Sequence, residues 1–320
     1  MDRKKVFITG EHGNLGELLT RACRRSGAKI VNDNYKRLSR HNKGNIPTVF
    51  YAKYKNELNI NDSAMMQEII NESKPDIILH TAAFVGTDKC DKDRKAAYAV
   101  NVDAIENLLD HVNKYCPDCL FVNFSTTATM DPSAYSQANP INEDTKRGPQ
   151  TWYGETKLMG EQVVKKKAKK FVNFLPVFLF NIFPVDSSSI WPKVFRYSLT
   201  NKTFEILMDP KNYKQYEFAE NIIKPILKII NNPLSLNKDI VLTGTEIRKF
   251  GDFLNEAADV YEDMYGKKLK YKLVPELDYL KSHVADNSLM LKLSGLTNDK
   301  YNQKRISFNK AINQVVRSCR

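Results

Sequence analysis

The sequence predicts an α/β fold, in which a doubly wound parallel sheet is followed by a smaller C-terminal α/β lobe. In the first 180 residues or so, short apolar runs alternate with longer amphipathic segments, which implies parallel strands joined by helical crossovers. The short runs are continuously apolar, as expected for strands covered by helices on both faces. Beyond this point the alternation loosens, and Pro184, Pro192 and the serines at 187–189 indicate a loop.

The individual elements follow from these periodicities in chain order. Short apolar runs predict strands at 6–8, 29–31, 76–80, 120–124, 171–179 and 240–242. Amphipathic segments predict helices at 15–25, 63–72, 92–114, 151–169, 214–230 and 249–261. We therefore expect one domain over residues 1–175 and a second lobe over 176–320, with a segment near 214–243 returning to the main sheet.

The composition argues against several classes of protein. The net charge is +12, but lysine and asparagine are abundant along the whole chain, and the densest lysine run, 165–170, closes a predicted helix. We therefore expect no nucleic-acid partner, and a basic surface also suits an anionic small molecule. The apolar stretch 171–183 is shorter than the roughly 20 residues of a membrane span. The five cysteines are scattered and odd in number, which favours a reducing, cytoplasmic location over a disulfide framework.

A glycine-rich turn lies between the first predicted strand and the first predicted helix. It reads Thr9-Gly10-Glu11-His12-Gly13-Asn14-Leu15-Gly16. Glycines permit a tight turn and a close approach of the backbone to a ligand, and a helix start presents N–H groups to a phosphate. We predict a Rossmann-type dinucleotide site in which Gly10, Gly13 and Gly16 shape the turn, while the backbone of Asn14 and Leu15 faces the pyrophosphate.

The end of the second strand bears on the choice between NAD and NADP. Asp33 follows the glycines by roughly 20 residues, where an acidic side chain accepts hydrogen bonds from the adenosine ribose and repels a 2′-phosphate. This position favours NAD as the cofactor. Lys36, Arg37 and Arg40 follow closely and could bind a 2′-phosphate, so NADP stays open.

A tyrosine and a lysine open the helix predicted at 151–169. Their i, i+4 spacing places Tyr153 and Lys157 on one face of the helix. An ammonium beside a phenol is expected to lower the pKa of the phenol, since nearby opposite charge favours the phenolate. Such a tyrosine can move a proton to or from a carbonyl or alcohol oxygen. The spacing alone is a weak signal, but together with the glycine turn upstream it predicts an oxidoreductase.

With these motifs the chain resembles the extended short-chain dehydrogenase/reductase family over nearly its whole length. The resemblance is carried by segments 9–16, 76–83, 101–103, 124–127 and 153–157. Within the family, segments 14–16, 82–84 and 125–126 resemble the dTDP-4-dehydrorhamnose reductases, as do Asp88-Lys89 and Asp131. Segments 127–129 and 148–150 are more similar to the UDP-galactose 4-epimerases.

The resemblance implies a catalytic triad of a hydroxyl, a tyrosine and a lysine. Tyr153 would move the proton, and Lys157 would also bind the nicotinamide ribose. Thr127 or Thr126 would hold the substrate oxygen; the two alignments differ by one residue, and Thr127 is preferred. Other family positions would serve the cofactor or the substrate: Asn59 and Ile60 near the adenine, Ala82 and Ala83 along the cofactor, Asn101 as a brace for the active-site strand, and Phe84 and Asn181 at the substrate.

Two departures from the family pattern concern the substrate pocket. Phe178 stands where the family often has an arginine, and the glycine expected before Pro184 is missing. In addition, the Asp-Glu pair that 4,6-dehydratases carry after the active-site threonine is absent, because Thr127-Ala128 or Ala128-Thr129 occupies that place. This absence argues against a dehydratase.

The activity that the resemblance implies is that of an NAD(P)-dependent nucleotide-sugar oxidoreductase. A 4-keto reductase acting on a nucleotide-activated deoxyhexose is preferred. The alternatives are a nucleotide-sugar 4-epimerase and a non-catalytic NAD(P)-binding regulatory subunit. Because helices like those at 92–114 and 151–169 pair across a two-fold axis in the family, the resemblance also implies a homodimer.

One motif is not part of this interpretation. Cys116-Pro117-Asp118-Cys119 is a CxxC segment with no second cysteine pair after it, whereas a structural zinc site requires four ligands. We therefore expect no metal site. The two cysteines are either incidental residues of a helix-to-strand turn or a redox pair.

Overall fold

The computed structural model describes residues 3–35, 58–181 and 189–319. The strands in these ranges are β1 (Lys5–Thr9), β2 (Lys29–Ile30), β3 (Ile77–His80), β4 (Leu120–Phe124), β5 (Phe171–Pro176), β6 (Leu179–Phe180), β7 (Phe204–Ile206), β8 (Tyr213–Lys214), β9 (Glu217–Phe218), β10 (Lys238–Leu242), β11 (Arg248–Lys249) and β12 (Tyr271–Leu273). Six of them form one parallel sheet in the order β2-β1-β3-β4-β5-β10. This sheet confirms the predicted fold class.

Helices cover both faces of the sheet and build the second lobe. They are α1 (Asn14–Arg25), α2 (Asn32–Tyr35), α3 (Ser63–Ser73), α4 (Thr87–Lys92), α5 (Arg94–Tyr98), α6 (Ala104–Tyr115), α7 (Trp152–Lys167), α8 (Ile190–Leu199), α9 (Ala219–Ile229), α10 (Phe250–Tyr265), α11 (Ser288–Ser294), α12 (Asn298–Lys304) and α13 (Phe308–Ser318). Within the described ranges, no helix is both long and apolar enough to cross a membrane.

The three largest apolar clusters hold these layers together. One lies between the sheet and α1, α9 and α11, and a second lies between the opposite face of the sheet and α3, α6 and α7. The third is rich in aromatic side chains and joins α8, α10 and α13. The last strand of the sheet, β10, and the helix α9 that precedes it come from residues beyond 175, so the two halves of the chain share the sheet.

The long helix predicted at 92–114 is divided into three parts. Asp93 accepts a hydrogen bond from the N–H of Ala96 at 2.9 Å and thereby starts α5 at Arg94. A π-helical turn over Ala99–Asp103 then separates α5 from α6. Such wide turns occur frequently at functional sites.

The helix predicted at 214–230 begins only at Ala219. Residues before it form the short strands β8 and β9, and β8 pairs antiparallel with β11. Lys214 is fully buried, with its Nζ 2.9 Å from Oδ1 of Asp278. A buried ion pair from a distant segment therefore holds this stretch in an extended form, which helical spacing could not reveal.

Candidate active site

The glycine turn connects the carboxyl end of β1 to the start of α1. Gly10 has a φ of +69°, and a Cβ added there would lie 2.7 Å from the backbone nitrogen of Ala82. A Cβ on Gly16 would overlap the carbonyl oxygen of Gly10. Gly13 serves as the N-cap of α1, whose first-turn N–H groups have no carbonyl acceptor inside the helix. These residues fit a dinucleotide, because only glycines allow the backbone to be this close and the helix start suits a pyrophosphate.

The loop after β3 lies directly against this turn. Ala82 donates its backbone N–H to Oγ1 of Thr9 at 3.3 Å, and both Ala82 and Ala83 are partly buried. Ile60 is buried in the apolar cluster against which Ala82 packs. Asn59 lies in the turn before α3, where its Oδ1 accepts a hydrogen bond from the N–H of Asn61. The structure thus brings Ala82 close to Gly10, while Ile60 packs into the core behind the loop.

Asp33 lies in the short helix α2, one residue after a buried asparagine. Asn32 bonds both the N–H and the carbonyl of Ile8, which fixes the end of the second strand to β1. The carboxylate of Asp33 is 46% exposed and lies 2.5 Å from Nη2 of Arg24. The predicted ribose ligand is therefore at the surface next to a guanidinium. The basic residues Lys36, Arg37 and Arg40 lie outside the described ranges.

Tyr153 and Lys157 occupy the first two turns of α7, which is capped by Thr151. The helix packs tightly on the turn after β4, since a Cβ on Gly154 would lie 2.5 Å from the carbonyl oxygen of Ala128. Lys157 is 3% exposed, and its Nζ donates a hydrogen bond of 2.8 Å to the carbonyl oxygen of Phe124 at the end of β4. The close packing thus places both side chains at the carboxyl end of the parallel strands.

The hydroxyl that meets Tyr153 belongs to Thr126. The Thr126 side chain acts on the Tyr153 phenol and favours its ionised form, so the two side chains are neighbours. Thr127 is buried and directed elsewhere, with its Oγ1 2.9 Å from Nε2 of His283 and 3.2 Å from the carbonyl oxygen of Pro176. The side chains of neighbouring residues at the end of a strand are directed to opposite sides, so only one of these two threonines can face α7. In this geometry Thr126, rather than the preferred Thr127, is the candidate hydroxyl beside Tyr153.

The pKa values of Tyr153 and Lys157 also differ from those that the sequence predicted. Burial raises the pKa of the Tyr153 phenol to about 12, and the Thr126 side chain opposes this rise only in part. Burial lowers the pKa of Lys157 to about 8, although the Glu161 carboxylate favours its charged form. The expected lowering of the phenol pKa is not found, because burial has the largest effect and the Lys157 ammonium bonds to the end of β4. The Tyr153 phenol is therefore protonated at neutral pH.

Asn101 braces the loop after β3 from inside the π-helical turn. Its Oδ1 accepts the N–H of Phe84 at 2.9 Å, and its Nδ2 donates to the carbonyl oxygen of Phe84 and to Oγ1 of Thr156. The amide therefore ties that loop to α7. The side chain of Phe84, predicted at the substrate, packs in part against the apolar core beside α3 and α6.

Asn181, predicted at the substrate, lies against the glycine turn. It is 2% exposed, and its Nδ2 donates to the carbonyl oxygen of Asn14 at 3.1 Å. This contact ties the segment after β6 to the first turn of α1. The structure therefore brings Asn181 to the glycine turn.

A buried ionic network under α7 was missed by sequence reasoning. Glu161 is 1% exposed; its Oε1 accepts a hydrogen bond from Oγ of Ser125 at 2.5 Å, and its Oε2 lies 3.3 Å from Nη2 of Arg147. The same guanidinium lies 2.8 Å from Oδ2 of Asp239 in β10. The network fixes the helix that bears Lys157 to the strand end that bears the candidate hydroxyl. Glu161 follows Lys157 by four residues, and this spacing was the one available signal.

A second missed residue reaches the site from the C-terminal part of the chain. His283 is 2% exposed and joins Oγ1 of Thr127 to Oη of Tyr135, with distances of 2.9 and 2.7 Å from its two ring nitrogens. Burial and the nearby Lys214 lower the pKa of His283 to about 3, so the ring is neutral at neutral pH. Its position more than a hundred residues from its partners gives no sequence signal. Among the described residues, no cluster of three or more His, Cys, Asp or Glu side chains could hold a metal ion.

Comparisons with known proteins identify the family of the chain. Residues 4–179 match the model of the RmlD substrate binding domain. The chain is 26% identical over 166 residues to the spore coat polysaccharide biosynthesis protein SpsK of Bacillus subtilis, covering 52% of this chain and 50% of that protein. It is 24% identical over 176 residues to dTDP-4-dehydrorhamnose reductase of Burkholderia thailandensis, covering 55% and 50%. The alignments thus span about half the length of these curated relatives.

A solved structure shows the same fold over almost the whole chain. The crystal structure of dTDP-4-dehydrorhamnose reductase from Bacillus anthracis in complex with NADP superposes with a TM-score of 0.71 and 19% identity, covering 98% of each chain. This likeness concerns the fold, while the family match covers more than half of the sequence. The chain therefore belongs to the RmlD substrate binding domain family, within the extended short-chain dehydrogenase/reductases.

Proposed function

We propose that this protein is an NAD(P)H-dependent reductase of the C4 keto group of a nucleotide-linked deoxyhexose. The observation that carries the proposal is the placement of Tyr153 beside Thr126, with buried Lys157 one helical turn further on and anchored to the carbonyl oxygen of Phe124. These three groups lie at the carboxyl ends of the strands, the same sheet edge as the glycine turn. Ligands of open α/β sheets bind at that edge.

The chain's own residues account for the polar part of such a reaction. The hydroxyl of Thr126 and the phenol of Tyr153 would hold the keto oxygen, and Tyr153 would donate its proton as negative charge develops there. The ammonium of Lys157 would bind the ribose of the cofactor while it stays anchored on Phe124. The bound reduced nicotinamide supplies the hydride.

The protonated state of Tyr153 favours reduction over epimerisation. A phenol with a pKa of about 12 is protonated at neutral pH, so it carries a proton to donate, whereas the phenolate that could accept one is scarce. A 4-epimerase begins by removing a proton from an alcohol, for which a phenolate is needed. Protein that purifies with stoichiometric, tightly bound NAD and interconverts sugar epimers would favour the epimerase instead.

For the cofactor we propose NAD in preference to NADP, with Asp33 as the ribose ligand. The exposed carboxylate supports this choice, whereas Arg24 beside it would help to neutralise a 2′-phosphate. Gly10, Gly13, Asn14, Leu15 and Gly16 would surround the pyrophosphate. Comparing the affinities for NADH and NADPH in the wild type and in Asp33→Asn tests the choice. If Asp33 selects NAD, the substitution weakens NADH binding and strengthens NADPH binding.

The remaining expected residues belong to this proposal as well. We place Asn59, Ile60, Ala82, Ala83 and Asn101 around the cofactor, with Asn181 now on its pyrophosphate side and Phe84 as the candidate substrate contact. The proposal also includes a homodimer built on α6 and α7, which pack side by side. It further includes a cytoplasmic location. Light scattering after size-exclusion chromatography measures the oligomeric state directly.

The decisive experiment combines ligand identification with three matched variants. Mass spectrometry identifies nucleotides released from the purified protein, and turnover is then measured with 4-keto-6-deoxy sugar nucleotides and NADH or NADPH. Tyr153→Phe and Thr126→Val should lower kcat by about 10²-fold or more while cofactor binding persists. Thr127→Val is the control: its hydroxyl faces His283, so kcat should stay within about threefold even if stability falls by about 1–3 kcal/mol. Cofactor binding without turnover on any substrate would favour a non-catalytic regulatory subunit.

A further inference from the structure

The CxxC segment lies at the opposite edge of the sheet from the candidate active site. It forms the turn between the end of α6 and the start of β4, whereas Thr126 follows the other end of β4. The N–H of Cys116 still bonds to the carbonyl of Val112 in the last turn of α6. All five cysteines of the chain are free thiols in this structure.

The turn brings the two cysteines within disulfide range. The N–H of Cys119 donates to the carbonyl oxygen of Cys116 at 2.9 Å, the hydrogen bond of a four-residue turn. Such a turn holds its first and last Cα atoms less than about 7 Å apart, and disulfides need about 4.4–6.8 Å. The two thiols are also close enough for each to shift the pKa of the other. The backbone would thus need little movement to close an S–S bond.

The two thiols differ in the way that disulfide exchange requires. Cys116 is partly exposed, and Cys119 is 4% exposed. Interaction with Cys119 lowers the pKa of Cys116, helped by the charge of Lys74, and interaction with Cys116 raises the pKa of Cys119. Burial raises the pKa of the other three thiols, Cys23, Cys90 and Cys319. Cys116 is therefore the best nucleophile of the five, with a partner thiol next to it.

We propose that Cys116 and Cys119 form a reversible dithiol–disulfide site that exchanges with low-molecular-weight disulfides. The Cys116 thiolate attacks one sulfur of a small disulfide such as glutathione disulfide, forming a mixed disulfide and releasing one glutathione thiolate. Cys119 then loses its proton and attacks the sulfur of Cys116, releasing the second glutathione. The protein loses two electrons and two protons, and the small disulfide is reduced to two thiols.

The test uses the full-length, fully reduced protein equilibrated with mixtures of glutathione and glutathione disulfide. Acid quenching, alkylation of remaining thiols and peptide mass spectrometry then count the oxidised residues. The wild type should lose both thiols of the segment together and form an internal disulfide, at ratios where Cys23, Cys90 and Cys319 are still alkylated. Dithiothreitol should restore both thiols.

Single variants separate the role of Cys116 as the attacking thiol from the role of Cys119 as the resolving thiol. Cys119→Ser should accumulate glutathione on Cys116, because the resolving thiol is gone, and Cys116→Ser should leave Cys119 largely unmodified. Cys319→Ser is the matched control and should not alter the disulfide. The proposal fails if both thiols stay alkylatable in pure glutathione disulfide, or if the wild type retains a stable glutathione adduct on Cys116. No measurement of turnover enters, so the outcome is independent of the proposed reductase activity.

Discussion

Replacing Lys157 by methionine should make the folded protein more stable while removing a group proposed to be essential. Lys157 is 3% exposed, and burial lowers its pKa from 10.5 to about 8. Each tenfold change in a protonation constant corresponds to about 1.4 kcal/mol, so keeping the ammonium in the folded state costs about 3 kcal/mol below pH 8. Loss of the 2.8 Å hydrogen bond to Phe124 offsets about 1 kcal/mol of this gain. The expected net stabilisation at pH 7 is about 2 kcal/mol.

The pH dependence of this gain identifies its cause. The folded-state pKa of Lys157 is below the unfolded value, so between pH 8 and 10.5 the unfolded chain holds a proton that the folded chain has released. The wild type therefore gains stability from this residue as the pH rises through that window. The methionine variant has no such group, and its advantage should shrink toward zero by about pH 10.

Urea unfolding at pH 7, 8, 9 and 10, followed by tryptophan fluorescence, measures the difference. Lys166→Met, an exposed lysine on the same helix, is the matched control and should change stability by less than about 0.5 kcal/mol at every pH. A Lys157→Met protein less stable than the wild type at pH 7 would refute the assigned burial cost. A stability difference that does not change with pH would refute the titration argument.

Three further predictions concern the turn, the lobe and the histidines. Gly10→Ala should weaken dinucleotide binding more than tenfold in a fluorescence titration, because φ is +69° and a Cβ would press on the loop after β3; unchanged affinity would contradict this. Gly244→Ala should lower the free energy of unfolding by about 1–3 kcal/mol, since a Cβ there overlaps the buried carboxylate of Glu217; an unshifted urea midpoint would speak against it. Burial lowers the pKa of His80 and of His283 to about 3, below the unfolded value of 6.5, so stability from each is lost as the pH falls below 6.5. At pH 5 the loss should reach about 2 kcal/mol per histidine, and asparagine variants should lose less between pH 7 and pH 5 than the wild type does.

Features that depend on neighbours in the chain could be predicted from the sequence. The glycine spacing at 10–16 and the four-residue spacing of Tyr153 and Lys157 are local patterns, because a turn and a helix face are defined by a few consecutive residues. The alternation of apolar runs and amphipathic segments likewise predicted the parallel sheet, and the structure confirms it. The prediction failed where distant contacts prevail, as at Lys214, whose ion pair with Asp278 keeps an apparently helical stretch extended.

The sequence by itself thus determined the fold class, the position of the glycine turn, and the presence of a tyrosine and a lysine on one helix face. Only the tertiary structure decided that Thr126, rather than Thr127, meets Tyr153, because that choice depends on how α7 packs on the end of β4. The tertiary structure also decided the pKa values of Tyr153 and Lys157, since burial depends on the assembled core and not on the order of residues. The partners of Glu161 and His283 come from segments far apart in the chain, and only folding brings those segments together.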